Sequence, residues 1–134
     1  MRTSLVMAVI ASFMILGCND TSSSSAPSVT GQWARHETIP GNFFGMSLVS
    51  QGSAISGTGS FQGEAGIGGT STVTGSITGN TVNLDFALVS QLPDGPLTST
   101  EHFTGTLLFG RLLGTMQFDP ASSPAASVEF ERTN

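Results

Sequence analysis

Charge and several residue types are scarce in this sequence of 134 residues. Lysine and tyrosine are absent, tryptophan occurs once, and Asp, Glu, Lys and Arg together make up only 10%. The four basic residues are all arginine, and the formal net charge is -5. A surface with so little positive charge repels phosphate backbones and anionic headgroups. The composition therefore argues against nucleic-acid binding and against electrostatic docking to a membrane.

Residues that usually carry catalysis or bind metals are also few. Cys18 is the only cysteine, so no intramolecular disulfide can form. The two histidines, His36 and His102, fall on outward positions of their predicted strands without a nucleophile beside them, and they make a poor zinc ligand set. The glycine-rich run 66–69 lacks the Lys-Ser/Thr of a phosphate-binding loop. We therefore predict no enzyme activity, no metal and no cofactor.

One apolar run stands near the N-terminus. Residues 5–16 are apolar except for Ser12, and Arg2 supplies a positive charge in front of them. Twelve residues are too few to span a bilayer, which needs about 20 residues in a helix. The run has the length of a signal-peptide core, and it ends just before Cys18.

The four residues Ile15-Leu16-Gly17-Cys18 resemble the lipobox of bacterial lipoproteins. The resemblance implies that residues 1–17 are a signal peptide and that Cys18 becomes the first residue of the mature chain. It also implies a diacylglycerol thioether on Cys18 and a further acyl chain such as palmitate, which together give stable membrane anchoring. The protein would then lie in the bacterial cell envelope, outside the cytoplasm. An ordinary secretory signal followed by an unpaired cysteine is the alternative.

Residues 18–28 follow as a serine-rich segment without large apolar side chains. Such a segment cannot bury a core, so we expect a flexible tether between the anchor and a domain formed by residues 29–134. Asn19 follows the cysteine directly. In enteric bacteria an aspartate at that position favours retention in the inner membrane, so Asn19 favours the outer membrane in a cell with two membranes.

The remaining hundred residues alternate between apolar and polar side chains in short runs separated by turn signals. Eight strands are predicted: 32–38, 43–50, 54–62, 71–78, 81–89, 98–109, 111–118 and 127–133. Two of the connections, 79–80 and 110–111, are short enough for two-residue hairpin loops. No gap is long enough for a helical crossover, so consecutive strands should pair antiparallel. The predicted fold class is therefore all-β, an eight-stranded antiparallel up-and-down β-barrel that follows a signal peptide and a flexible linker.

Strand parity predicts which side chains face the barrel interior. Seven phenylalanines take inward positions: Phe44, Phe61, Phe86, Phe103, Phe109, Phe118 and Phe130. Five glycines share that parity: Gly57, Gly59, Gly75, Gly105 and Gly114. The rings could fill a small barrel completely, whereas glycines in those positions argue for free space inside.

Gly31-Gln32-Trp33 lies on the first predicted strand and Arg132 on the last, both with inward parity. With eight sequential strands, this pattern resembles the calycin superfamily of lipocalins, fatty-acid-binding proteins and avidins. The resemblance implies that Trp33 and Arg132 pack together at the closed end of a barrel. The small size and short loops are most similar to the avidin branch. The tryptophans and tyrosine of the avidin biotin site are missing, so biotin binding is not implied.

Parity also predicts a candidate ligand site. Arg35 and Glu37 follow Trp33 on the same face of the first strand, so they should climb from the closed end towards the open end. A buried arginine needs a partner, and Glu37, Glu101 or the anionic head of a ligand could provide it. The apolar part of such a ligand would contact four inward side chains, Leu48, Leu84, Phe86 and Phe103. Glu37 and Glu101 could alternatively act as an acid/base pair, or simply be solvated at the rim.

Two functions therefore remain open from the sequence. The first is a membrane-anchored module that binds a small apolar or amphipathic ligand in its barrel. The second is a structural or protein-interaction lipoprotein whose barrel is filled by its own side chains and binds no ligand. Nothing in the pattern specifies an oligomeric state.

Overall fold

The computed structural model describes residues 26–119 and 124–133. These residues form eight β-strands, and a short 3₁₀ turn, Glu64–Gly66, stands between the third and fourth. The strands are β1 Gly31–Arg35, β2 Phe43–Gln51, β3 Ala54–Gln62, β4 Gly68–Thr78, β5 Thr81–Leu92, β6 Gly95–Leu108, β7 Arg111–Asp119 and β8 Ala126–Thr133. The predicted signal peptide and most of the predicted tether lie outside the described residues. No helix in the described ranges is long and apolar enough to cross a membrane.

Each strand pairs antiparallel with the next along the chain, and β1 pairs with β8 to close the barrel. The closing register places Trp33 opposite Arg132 and Arg35 opposite Phe130. Closure leaves no free sheet edge, so the barrel does not expose the unpaired backbone N–H and C=O groups through which an open sheet can pair with another chain. The predicted fold class, an eight-stranded up-and-down antiparallel barrel, is confirmed.

Several strand limits differ from the prediction. β1 ends at Arg35 rather than at residue 38. β5 continues beyond residue 89 to Leu92 and β6 begins before residue 98, at Gly95, because these added residues pair with each other. The predicted hairpin loop at 79–80 is present, but the loop predicted at 110–111 is wrong by one residue. Leu108 pairs with Arg111, so Phe109 and Gly110 form the turn. Both adopt positive φ, 48° and 77°, which is the backbone of a type I′ turn.

The interior is a continuous apolar core. Phe44, Phe86, Phe103 and Phe130 are at most 3% exposed, and their rings contact one another with centroid separations of 5.6 to 6.3 Å. Three of these pairs are edge-to-face and one, Phe86 with Phe130, is stacked, and both are geometries that aromatic quadrupoles favour. Two of the phenylalanines predicted to face inward do not reach this core. Phe109 stands in the hairpin loop and is fully exposed, and Phe118 lies near the end of β7 with half of its surface exposed.

The inward glycines do not leave free space. A Cβ on Gly57 would meet Leu48 Cδ2 at 2.8 Å, and one on Gly75 would meet Leu84 Cδ2 at 3.0 Å. A Cβ on Gly105 would stand 2.4 Å from Phe103 Cζ. Large side chains of neighbouring residues therefore occupy the volume that the glycines give up. The glycines bring strands close together and let those side chains fold over them, which favours a filled interior.

One end of the barrel is sealed, and we call it the closed end. It carries the start of β1 and the hairpin loops 52–53, 79–80 and 109–110. Trp33 is 1% exposed there, and its Nε1 donates to the carbonyl oxygen of Val29, which is itself fully buried, at 2.8 Å. Arg132 Cζ lies 4.9 Å from the centroid of the Trp33 ring. A buried indole, a cation over its face and an apolar side chain from the entering chain together seal this end.

Candidate functional site

The opposite end of the barrel opens into a shallow cavity of about 240 Å³, which we call the mouth. It lies where β1, β3 and β5 end and where β2, β4 and β6 begin. Its lining residues are Arg35, Asn42, Phe43, Phe44, Phe61, Gln62, Gly63, Leu88, Ser90, Ser99, Glu101 and Phe118. The set combines aromatic and aliphatic walls with one cation and one carboxyl group. Such a lining is typical of sites that bind small amphipathic molecules.

Arg35 is the last residue of β1, and its side chain is only 29% exposed. Its Nε forms an ion pair with Oε1 of Glu37, whose side chain is 15% exposed. The guanidinium carbon also lies 5.5 Å from the centroid of the Phe44 ring. A half-buried arginine is stable only with such partners, because removing the charge from water is costly. The guanidinium is thus already neutralised before any ligand arrives.

Glu101 is the most deeply buried carboxyl group of the mouth, with 8% of its surface exposed. It lies in the middle of β6, paired with Phe86 on β5 and Phe118 on β7. Burial raises the pKa of Glu101 above its ordinary value, and the positive charge of Arg35 partly opposes that rise. Glu101 therefore holds a proton to higher pH than a solvated glutamate does. Its carboxyl group can act as a hydrogen-bond donor or acceptor according to pH.

The apolar walls of the mouth are continuous with the core. Phe61 stacks against Phe44 with centroids 6.3 Å apart, and Leu88 is 6% exposed. Phe118 stands at the rim and is 52% exposed, whereas Phe44 forms the floor at 3%. The cavity therefore has an apolar base and an exposed aromatic rim. Leu88 and Phe118 are not among the predicted ligand-binding residues, although both have inward parity on their strands.

The structure divides the predicted ligand-binding residues into two groups. Arg35 and Glu101 line the mouth, and Glu37 is held beside it by Arg35. The other four residues lie deeper, in the packed core, where each is at most 1% exposed: Leu48, Leu84, Phe86 and Phe103. Leu84 and Leu48 fill the space above Gly75 and Gly57, as described above. A ligand at the mouth would therefore touch Leu88, Phe61 and Phe118 in place of these four.

A second polar cluster lies on the outer face of the barrel. His102 Nδ1 is 2.5 Å from Asp85 Oδ1, and His102 Nε2 is 3.7 Å from Asp119 Oδ2. The hydrogen bond with Asp85 raises the pKa of His102; desolvation opposes the rise, and the negative charge of Asp85 and smaller contributions from Asp119 add to it. All three side chains are about half exposed or more. No group of three or more His, Cys, Asp or Glu suited to a metal occurs in the described ranges.

The fold and the mouth define a small closed antiparallel barrel that is sealed at one end and carries a shallow amphipathic cavity at the other. No family model, curated protein or solved structure matches this chain.

Proposed function

We propose that this protein is an extracytoplasmic bacterial lipoprotein, anchored through Cys18, whose barrel binds a small amphipathic ligand at its mouth. Support for the anchor comes from the sequence: a short apolar run ends in Leu16-Gly17 and the only cysteine. Support for binding comes from Glu101, a carboxyl group buried beside exposed aromatic rings in an open cavity. A buried acid destabilises the fold, so its position at the mouth favours a role in recognition.

The position of the mouth agrees with this proposal. The chain enters the barrel at the closed end, so an anchor attached there leaves the mouth on the far side. Strands of nine to fourteen residues join the two ends on most of the barrel. At about 3.3 Å per residue, with strands tilted as barrels require, the mouth lies roughly 20–30 Å from the closed end. A tethered domain would then present its cavity to the surrounding solution.

The charges of the mouth favour a neutral or cationic ligand over an anionic one. Arg35 is already paired with Glu37, and Glu101 contributes a second carboxyl group nearby. An anionic head would have to compete with Glu37 for the guanidinium and would face Glu101 as well. A hydroxyl or amine can instead donate to the Glu101 carboxylate while an apolar group rests on Phe61 and Leu88. Because 240 Å³ is below the usual range for drug-sized ligands, we infer a small molecule or one end of a larger one.

Three ligands that share one aromatic group test this chemistry: 2-phenylethanol, 2-phenylethylamine and phenylacetate. We expect the alcohol and the amine to raise the melting temperature of the protein at pH 7 and the acid to have less effect. Glu101→Gln should reduce the response to the amine more than the response to the alcohol. Val49→Ser, an exposed position on β2 near the closed end, is the matched control and should respond like the wild type. Binding fails as a function if no ligand stabilises the wild type at millimolar concentration.

The packed core supports a second candidate, a protein-interaction lipoprotein that binds no small molecule. The four core phenylalanines leave no volume for a ligand among them, so the exposed rings of the rim, such as Phe118, would contact a partner protein instead. The two candidates predict different responses to the aromatic ligands. A flat thermal response together with a loss of partner binding in Phe118→Ser would favour the interaction role.

The anchor has its own test. Cys18→Ala should release the protein from the membrane fraction or leave an unprocessed precursor, because the thioether cannot form. Intact mass of the wild type should show the loss of residues 1–17 and the gain of acyl chains. Unchanged membrane partitioning and an unchanged mature mass in the variant would contradict the lipoprotein assignment.

A further inference from the structure

Phe109 occupies an unusual position at the tip of the β6–β7 hairpin. Its side chain is fully exposed, at 103% of the reference value, and its φ is +48°. The first position of a type I′ turn favours Asn, Asp or Gly, because other side chains are strained in the left-handed region. Phenylalanine therefore costs the barrel conformational energy at this site. The exposed ring gains no burial inside the domain that would offset the cost.

The hairpin tip lies directly beside the point where the N-terminal chain enters the barrel. Arg132 contacts both the entering chain and the hairpin. Its Nη2 donates to the carbonyl oxygen of Ser28 at 2.8 Å, and its backbone N–H donates to the carbonyl oxygen of Gly110, with N and O 3.1 Å apart. Only residues 19–25 separate Cys18 from Ala26, the first described residue. A chain of that length spans at most about 30 Å. An acyl anchor on Cys18 thus leaves the tip of the hairpin within reach of the bilayer surface.

The surroundings of Phe109 suit a bilayer interface. Leu108 beside it is 40% exposed, and Arg111 on the other strand is paired with Glu129 at 2.9 Å and Glu131 at 3.0 Å. Although the whole chain carries a net charge of -5, Arg111 and the nearby Arg132 together offset the formal charges of Glu129 and Glu131. Anionic headgroups would therefore meet no excess of negative charge at this point. The apolar ring, rather than basic residues, would make the contact.

A bilayer fits this surface better than a second copy of the chain does. A stable protein interface buries more than about 1,000 Å² in total, whereas one aromatic ring and part of a leucine offer roughly 200–300 Å². Such an area is too small to hold a free protein on a membrane as well. The same area is sufficient to orient a domain that the anchor already holds at the membrane, because the effective concentration of lipid around the hairpin tip is then high.

We propose that Phe109, together with Leu108, inserts into the interfacial region of the bilayer that carries the Cys18 anchor, and so holds the barrel upright with its mouth away from the membrane. The inference rests on the proposed lipid anchor. It adds a second, reversible contact, which sets the orientation of the domain rather than its attachment. It also accounts for an exposed aromatic residue in a strained turn where Asn would be more favourable.

The test uses the full chain, purified with its anchor and reconstituted into phosphatidylcholine vesicles with or without brominated acyl chains. Phe109→Trp introduces an indole at the tip, and Leu97→Trp introduces one at the exposed position on β6 near its start, at the other end of the barrel. Native Trp33 is common to both variants, so its contribution is removed by subtracting the wild-type spectrum. Bromine quenches an indole that enters the acyl region and spares one in water.

We expect the indole introduced in Phe109→Trp to emit at shorter wavelength in vesicles and to lose at least half of its intensity to bromolipid. The indole introduced in Leu97→Trp should emit as in water and lose little. Equal quenching in the two variants, with solvent-like emission from both, would overturn the proposal.

Intact mass of the same preparations separates this inference from the anchor on which it rests. A mass with acyl chains and no quenching at position 109 contradicts the ring insertion alone. A mass without acyl chains contradicts both. In addition, Phe109→Asn keeps the turn and removes the ring, so it should widen the distribution of distances between the mouth and the bilayer, measured by energy transfer to a membrane dye. An unchanged distribution would also count against insertion.

Discussion

Gly105→Ala tests how tightly the strands of the barrel approach each other. The new methyl group would lie 2.4 Å from Phe103 Cζ, 2.5 Å from the carbonyl oxygen of Leu113 and 2.9 Å from the Cα of Gly114. Phe103 is buried in the ring cluster, and the other two contacts are backbone, so none of them can move aside easily. Overpacking of this kind typically destabilises a core by about 1–3 kcal/mol. Because backbone is involved, we expect the upper half of that range.

The measurement is urea unfolding, followed by the fluorescence of the single tryptophan. With a slope of roughly 1–1.5 kcal/mol per molar urea for a domain of this size, a loss of about 2–3 kcal/mol lowers the midpoint by roughly 2 M. Gly63→Ala is the matched control, since its Cβ would meet only the Ile67 carbonyl oxygen, at 3.7 Å, and its φ is -110°. That variant should be neutral or stabilised by about 0.4–1 kcal/mol through the unfolded state. If Gly105→Ala matches the wild-type midpoint, the close packing is wrong.

Three further predictions follow from buried and paired groups. Trp33→Ala should destabilise the fold by about 3–5 kcal/mol, because it leaves a cavity and an unpaired Val29 carbonyl; native emission typical of a solvated indole would contradict the burial of Trp33. Since burial raises the pKa of Glu101, the folded chain retains that proton longer than the unfolded chain, so stability falls as pH rises from about 4.5 through the folded pKa. Denaturation of wild type and Glu101→Gln between pH 4 and 6, below the titration of His102, should show a smaller loss of stability with rising pH in the variant, and equal slopes would contradict the raised pKa. The raised pKa of His102 affects stability in the same direction: its contribution to the free energy of unfolding is complete below pH 6.5 and is lost as pH rises through the folded pKa. Asp85→Asn should lower the pKa of His102 in an NMR titration, and an unchanged titration would exclude the hydrogen bond as its cause.

The eight strands were predictable because their two-residue alternation is strong and their turn signals are local. At the hairpin 109–110 the local turn signals predict the wrong position for the turn. Glycine at the second position of a type I′ turn is expected, but phenylalanine at the first is not, so the pattern favoured a loop one residue later. The pairing of Leu108 with Arg111 decides the register, and that pairing depends on the neighbouring strand. Because the predicted register was wrong by one residue, Phe109 was expected in the core, whereas it is fully exposed.

The site was predictable only in part, for a related reason. The partnership of Arg35 with Glu37 is a contact two residues apart on one chain segment, and parity alone suggests it. The approach of Glu101 to the same mouth depends on the stagger of strands that are 66 residues apart in sequence. Parity likewise placed Gly75 and Leu84 on the inner face, but it could not show that the leucine fills the space of the glycine. Whether a barrel is hollow depends on strand tilt, which a sequence does not reveal directly.

A filled interior changes where function can lie in such a barrel. When Phe86, Phe103 and Phe130 pack against one another, any binding must occur at an end or on the outer wall. Of the two ends, the one with Trp33 is closed and adjoins the entering chain, so the open end is the one with Arg35 and Glu101. Closure of the barrel and packing of the rings do not require a carboxyl group there, and an apolar side chain of similar size would avoid the desolvation that raises the pKa of Glu101. The two residues whose presence the fold explains least, Glu101 in the mouth and Phe109 at the opposite tip, therefore mark the two surfaces at which we place recognition and membrane contact.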